Sequence, residues 1–222
     1  MSGFPPSPRL QKGALVAVDL FNPLASLIVF QYNPETLTRS LTANAQSSRT
    51  EQQTEVLRVL GPPAETINLE IELDATDQLE KGDPTAVALG LHPTLAALEN
   101  LLYPKSAKVI VDEVLRRAGM LEVTPPEQPL TFFVWGNIKR VLPVRVTEMS
   151  ITEEFFDPTL NPIRARVRLG LRVLTYRDLG FLSVGGAAFL AHQIQKELMA
   201  TQNGLGTLAS ASFSLSQGLT IT

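Results

Sequence analysis

Apolar and polar residues alternate most regularly in the segment ETINLEIELD, residues 65–74. The apolar positions on one side of the extended chain are Ile67, Leu69, Ile71 and Leu73. The polar positions on the other side are Asn68, Glu70, Glu72 and Asp74. A period of two predicts a β-strand that buries one face and exposes the other.

Five further segments have strand character. Residues 14–18 and 27–32 are apolar runs separated by the turn-forming sequence DLFNP, which predicts a β-hairpin. Residues 130–136, LTFFVWG, predict a short buried strand. Residues 140–156 predict a longer strand that Pro143 restricts to a sheet edge or a bulge. After the turn DPTLNP, residues 163–176 predict a returning strand whose inward positions are Ala165, Val167, Leu169, Leu171 and Val173.

Helical periodicity appears in three places. Leu91, Leu95, Leu98 and Leu102 share one face of a helix that Pro93 can start and Pro104 ends. A second helix is predicted over 108–118, followed by Gly119, with a core face of Val111, Val114, Leu115 and Ala118. A third is predicted over 187–201, with His192 on its polar face. His92, at a helix start, is predicted to be exposed or to cap the helix.

The remaining segments set the predicted domain organisation. Residues 1–12 are a proline-rich N-terminal arm rather than a secretion signal. Residues 13–180 form the main β domain, which includes a long polar arm at 38–60 without clear periodicity. Residues 181–222 form a C-terminal helix and a tail of low charge. This tail is either disordered or docked on another surface, and its uncharged composition favours docking.

Composition excludes several function classes. The chain has 222 residues, of which 44% are hydrophobic, and a formal net charge of -3, so neither nucleic acid nor anionic lipid is an expected partner. It has no cysteine and two histidines, which excludes thiolate chemistry and leaves little scope for metal binding. No run approaches the roughly 20 apolar residues that cross a bilayer. Synthesis in the cytoplasm is expected.

Candidate catalytic groups are weak. Glu153, Glu154 and Asp157 could supply an acid and a base, but the solvated end of a strand and its turn explains them better. The glycine-rich segments SVGGAAF and NGLGTLAS lack the lysine and spacing of a phosphate-binding loop. We therefore predict no catalytic residue, no metal and no cofactor.

A row of arginines is more informative. Arg164, Arg166 and Arg168 project from one face of a predicted strand at intervals of about 6.8 Å. Acidic groups should lie opposite them. These are either Glu70 and Glu72 on a neighbouring strand or an acidic surface on another subunit.

Several segments occur in a characteristic order along residues 13–178. They are LIVFQYNPETLTRS, PPAETINLEIELDATD, HPTLAALENLL, LTFFVWG and ITEEFFDPTLNPIRARVRLGLRV. In this order they resemble the tube-like proteins of contractile injection systems, and within them the tube initiator, or hub-to-tube adaptor, of the baseplate. The resemblance implies a mainly β structure with helices (α+β), in which two antiparallel sheets close as a barrel-like sandwich with flanking helices and a C-terminal helical extension.

The resemblance also implies a function without catalysis. Six copies would form a ring that connects the spike hub to the inner tube and nucleates tube assembly in a bacterial particle. Many members of this class carry a LysM-type module after the tube domain, and here a charge-poor helix and tail from residue 181 take its place. The contact with sheath or baseplate wedge proteins is therefore assigned to the C-terminal tail. Whether the particle stays in the cytoplasm, attaches to a membrane or is released is left open.

Two alternatives remain: an inner-tube building block of the same particle, and a secreted enzyme or ligand-binding β-barrel. The abrupt stop at Asn33-Pro34 after an apolar strand is interpreted as a hinge that redirects the chain toward a neighbouring subunit. The candidate residues for the assembly interface are Asn33, Pro34, Glu70, Glu72, Arg164, Arg166 and Arg168.

Overall fold

A computed structural model describes residues 11–18, 27–44, 59–119, 128–136 and 140–218. The strands are β1 (Ala14–Ala17), β2 (Leu27–Val29), β3 (Leu37–Thr42), β4 (Ala64–Asp74), β5 (Thr131–Trp135), β6 (Arg140–Phe156) and β7 (Pro162–Val173). The helices are α1 (Thr76–Glu80), α2 (Pro84–Leu89), α3 (His92–Glu99), α4 (Ser106–Arg117), α5 (Tyr176–Leu179) and α6 (Val184–Gly218). The α+β class predicted from the sequence is confirmed.

The seven described strands form one antiparallel sheet in the order β2-β1-β5-β6-β7-β4-β3. The expectation of two separate sheets is therefore corrected to one. In a flat sheet β2 and β4 would lie about 24 Å apart, because neighbouring strands are spaced by about 4.8 Å. Yet Gln31, just after β2, donates from Nε2 to the Asp74 carbonyl at 2.7 Å and accepts from the Asp74 amide at 2.9 Å. The sheet must curl strongly to bring these two regions together, as in a barrel.

The interior is built from the inward rows of the strands. The predicted inward positions of β4 (Ile67 to Leu73) and of β7 (Ala165 to Val173) are all buried. Leu91, Leu95 and Leu98 around α3 join the same core, which confirms the predicted face of that helix. The first part of α6 contributes Phe189 to this core as well.

Pro143 does not mark a sheet edge. It lies in β6, which pairs with β5 on one side and β7 on the other. Its carbonyl accepts from the Leu174 amide at 2.8 Å, on the side of β7 and beyond the last paired residue of that strand. The N–H that proline lacks would point the same way, so no β5 hydrogen bond is lost. The sheet irregularity falls instead between Val146 and Glu148.

Gly90, between α2 and α3, has the positive φ of 54° that glycine adopts most readily. A Cβ atom there would lie 2.6 Å from the carbonyl oxygen of Pro162. The Leu91 amide donates to this same carbonyl at 2.9 Å. Glycine therefore lets the start of α3 approach the backbone of β7.

Two of the helix and loop predictions need correction. The predicted core face of α4 is not buried: Val111 and Val114 are exposed and none of its residues is fully buried. Residues 37–42, the first part of the predicted polar arm, form strand β3 by pairing with β4. Most of that arm, residues 45–58, lies outside the described residues.

The C-terminal segment is a longer helix than predicted. α6 contains 35 residues and extends to Gly218, well beyond the predicted end of the helix at residue 201. His192 lies on its buried side, with 5% of its surface exposed, rather than on a polar face. His92 is exposed at the start of α3, as predicted.

Candidate assembly surfaces

The arginine row lies opposite a matching acidic row within the same chain. In the β4–β7 register, Arg164 pairs with Asp74, Arg166 with Glu72, and Arg168 with Glu70. We call these six residues the charge ladder. Each inward residue of these strands is buried, so the period of two points every member of the ladder away from the core.

Distances within the charge ladder range from short to marginal. Arg168 Nε lies 2.6 Å from Glu70 Oε2, and this contact raises the pKa of Arg168. Arg166 contacts Glu72 at 3.8 Å and Glu154 of β6 at 3.4 Å. Arg164 lies 3.8 Å from Asp74. The arginines are thus paired within the subunit, and no second subunit is needed to neutralise them.

The Asn33-Pro34 stop is tied back to the same chain. Asn33 accepts from the Gly13 amide at 2.9 Å and donates to the Gln11 carbonyl at 2.8 Å. No helix starts at Pro34. The chain continues into β3, which is the last strand of the sheet at the end opposite β2. The interpretation of this stop as a hinge toward a neighbour is corrected: over the described residues the chain is directed to its own β4.

The β6–β7 hairpin ends in an apolar tip, residues 155–161. Phe155, Phe156 and Leu160 are 67%, 50% and 75% exposed. Phe155 and Leu160 also have positive φ angles of 54° and 66°, which are unfavourable for residues with a side chain. Exposed apolar residues in a constrained turn are typical of a surface that binds a partner.

Asp157 gives the hairpin tip its shape. Its carboxylate accepts from the Asn161 amide at 2.8 Å and the Thr159 amide at 2.7 Å. The Asn161 backbone hydrogen bond is the main reason that the pKa of Asp157 falls to about 2. The predicted acidic cluster of Glu153, Glu154 and Asp157 therefore includes a turn-forming carboxylate, and no group of metal-binding residues is found in the described ranges.

The outer part of α6 presents a second apolar surface. Ile194, Leu198 and Leu205 are exposed. Phe189, near the start of the same helix, packs into the core. Residues 198–218 contain no charged residue. This half of the helix is suited to contact with another protein surface.

Sequence reasoning missed a group of charged residues gathered beside α6. Arg39 of β3, Glu65 of β4 and Arg140 of β6 meet His192 and Lys196 of α6 next to Trp135. We call the cavity lined by Arg39, Arg140, His192 and Lys196 the basic pocket. Glu65 is buried, and its Oε1 atom lies 2.5 Å from Arg39 Nη2.

A signal for this group was present in the strand pattern. Glu65 shares its parity with Ile67 and Leu69, and Arg140 shares its parity with Leu142 and Val144, so both occupy inward positions. Which strands meet beside α6 depends on the curl of the sheet. The strand pattern therefore indicates that Glu65 and Arg140 face inward, but it does not show that they lie near each other and near α6.

Comparison with known families decides the identity of the barrel. The contractile injection system tube protein family matches residues 19–177 of this chain. The chain belongs to this family.

A contractile injection system tube protein is a structural component of a phage-tail-like particle, so this chain is not an enzyme. A solved structure described as the virion of a native gene transfer agent particle contains a similar chain, with a TM-score of 0.28 and 10% identity over 72% of this chain and 90% of that one. No match was found among curated proteins. Among its described helices, the tube protein has none that is long and apolar enough to span a bilayer.

Proposed function

We propose that this tube protein is the baseplate adaptor of its particle: a hexameric ring that connects the spike hub to the inner tube and nucleates tube assembly. The observation that carries the proposal is the outer part of α6, which has no charged residue over 198–218 and exposes Ile194, Leu198 and Leu205. A subunit that only repeats along a tube needs contacts around and along the ring, which a barrel supplies. The exposed stretch of α6 at 197–205 adds a surface for a further component.

The partners in this proposal are other copies of the chain, the inner-tube protein and the hub, with sheath or wedge proteins contacting residues 181–222. The barrel, residues 13–180, forms the ring wall, and residues 1–12 form an arm. The start of α6 is attached to the barrel through Phe189, which would hold the projecting half in a defined direction. Synthesis in a bacterial cytoplasm fits such an assembly, with no membrane insertion and no cofactor.

Within the ring, the hairpin tip is our first candidate contact. The charge ladder and the Asn33-Pro34 loop remain candidates as well. Because the ladder is paired internally, it would contribute by matching charge across an interface rather than by supplying unpaired arginines. A ring closes through a heterologous interface, so the surface opposite each contact must differ from the contact itself.

An inner-tube building block is the second candidate, because the family description names a tube protein. Negative-stain imaging and sedimentation velocity of the purified full chain, alone and with its hub protein, separate the two. Single six-membered rings that cap the hub support the adaptor, whereas long tubes formed by the chain alone support the building block.

A hairpin-tip variant sharpens this experiment. Phe155→Ser should abolish ring formation while leaving circular dichroism unchanged, because Phe155 is exposed. Tyr103→Ser is the matched control, since Tyr103 is also an exposed aromatic residue but lies after α3, outside the tip. Rings formed equally well by both variants would remove the tip from the interface.

A further inference from the structure

The basic pocket holds more positive than negative charge. Arg39, Arg140 and Lys196 line it, and Glu65 is the carboxylate that contacts Arg39 and Lys196. Glu65 is already occupied: it accepts from Arg39 Nε at 2.7 Å and lies 3.5 Å from Lys196 Nζ. Arg140 is half-buried and has no hydrogen bond or ion pair within the part of the chain that the structure describes. Burial and then the charge of Arg39 lower the pKa of Arg140, and the charge of Glu65 offsets this only in part. A half-buried cation without a direct ion pair is costly.

His192 supplies a second, independent observation. Its side chain lines the same pocket, the residue is 5% exposed, and neither ring nitrogen has a hydrogen-bond partner in the described structure. Burial, followed by the charges of Lys196 and Arg140, lowers the pKa of His192 to about 4. At neutral pH the imidazole is therefore uncharged and carries one N–H group that can donate. Buried polar atoms without partners are rare and point to a missing ligand.

The lining of the pocket indicates what kind of anion fits. A guanidinium binds a carboxylate through two parallel hydrogen bonds, and Arg140 is free to do so. Leu41, Trp135 and Met199 form an apolar wall beside the cations. This wall suits a carboxylate carried on an aliphatic stem better than a fully hydrated inorganic ion.

We infer that the basic pocket is a carboxylate-binding site, in which Arg140 and His192 donate to the carboxylate and Lys196 neutralises it. The carboxylate comes either from an acidic side chain of a second copy of this chain or from a small organic acid. Only the first source rests on the proposed ring. In that case the pocket joins α6 and the barrel of one subunit to an acidic residue of its neighbour.

The chain reports binding directly, because Trp135 lines the pocket and is its only tryptophan. The purified full chain is titrated with sodium succinate at constant ionic strength, with sodium chloride as the balancing salt, while tryptophan fluorescence is recorded. We expect a saturable change that chloride alone does not produce. Arg140→Gln should raise the apparent Kd by about tenfold or more. Arg116→Gln, on the exposed surface of α4, is the matched control and should leave it unchanged.

Sedimentation velocity in the same titration identifies the source. If succinate dissociates rings and Arg140→Gln prevents them from forming, the carboxylate belongs to a second copy. If succinate saturates the fluorescence change without altering the sedimentation coefficient, the ligand is a free organic acid. Lys196→Gln provides a second variant if Arg140→Gln does not fold.

The inference is overturned if succinate gives no response beyond that of chloride and both pocket variants behave like the wild type. Rings that form under those conditions would leave the proposed function intact. Conversely, a chain that never forms rings but binds succinate would contradict the ring and support the pocket. The two failures are therefore distinguishable.

Discussion

Reversing the charge of Arg166 tests whether the charge ladder contributes to folding stability, to ring assembly or to both. Arg166 makes two partly exposed ion pairs, with Glu72 at 3.8 Å and Glu154 at 3.4 Å. Exposed pairs contribute about 0.2–1 kcal/mol each, so their loss costs about 0.5–2 kcal/mol. Arg166→Glu adds repulsion of similar size from both carboxylates, which brings the expected loss of unfolding free energy to about 1–3 kcal/mol.

The assay has two readouts. Urea unfolding followed by circular dichroism gives the change in unfolding free energy caused by the variant. This change should be smaller at high salt, because the ion pairs are exposed and salt screens them. Sedimentation velocity gives the fraction of chain in rings. If the ladder belongs to the assembly interface, Arg166→Glu abolishes rings although the chain stays folded.

A charge swap provides the control. The double variant Glu72→Arg with Arg166→Glu restores one opposite-charge pair inside the subunit, and it should recover part of the lost stability. An interface role predicts that rings remain absent in the swap, because a neighbouring subunit still meets reversed charges. Rings that return together with stability would refute that role and leave the arginine row with a purely intramolecular function.

Two further predictions concern the turns that position these surfaces. Gly90→Ala should lower the unfolding free energy by about 2–4 kcal/mol, because a Cβ atom would lie 2.6 Å from the Pro162 carbonyl oxygen. The control is Gly82→Ala: Gly82 has a similar φ of 68° but open space around it, so the loss should be only about 1–2 kcal/mol. Equal losses for both variants in urea unfolding would contradict the steric reason. Asp157→Asn should lower the unfolding free energy at neutral pH. This difference from wild type should close as the pH falls from about 4 toward about 2, because the pKa of Asp157 is depressed to about 2. If urea unfolding shows a difference that does not change with pH, the charge of Asp157 is not the cause.

The strands could be predicted because their pattern is local. The alternation in 65–74 and 163–173 reports which face is buried, and burial of Ile67 and Val167 follows from it directly. The sequence left open whether Arg166 pairs with Glu72 of the same chain or with an acidic surface of another subunit. The register of β4 against β7 decided in favour of the intramolecular partner.

Apolar periodicity was less reliable for helices. The pattern of α4 predicted a buried face, yet Val111 and Val114 are exposed. Periodicity shows that a helix has an apolar side but not whether this subunit covers it. The length of α6 was also missed, because glycine and serine in 204–218 favour a non-helical tail when propensity alone is considered.

The sequence by itself determined the α+β class, most strands, the inward rows of the core and the absence of cysteine chemistry. The strands and inward rows depend on neighbours two to four residues apart along the chain, and the lack of cysteine is read directly from the composition. The tertiary structure decided which distant charges meet. Arg39, Arg140 and His192 come from three separate elements, and only the curl of the sheet and the path of α6 place them around one cavity. The basic pocket is therefore a property of the fold, because no local pattern encodes a contact between elements so far apart in the sequence.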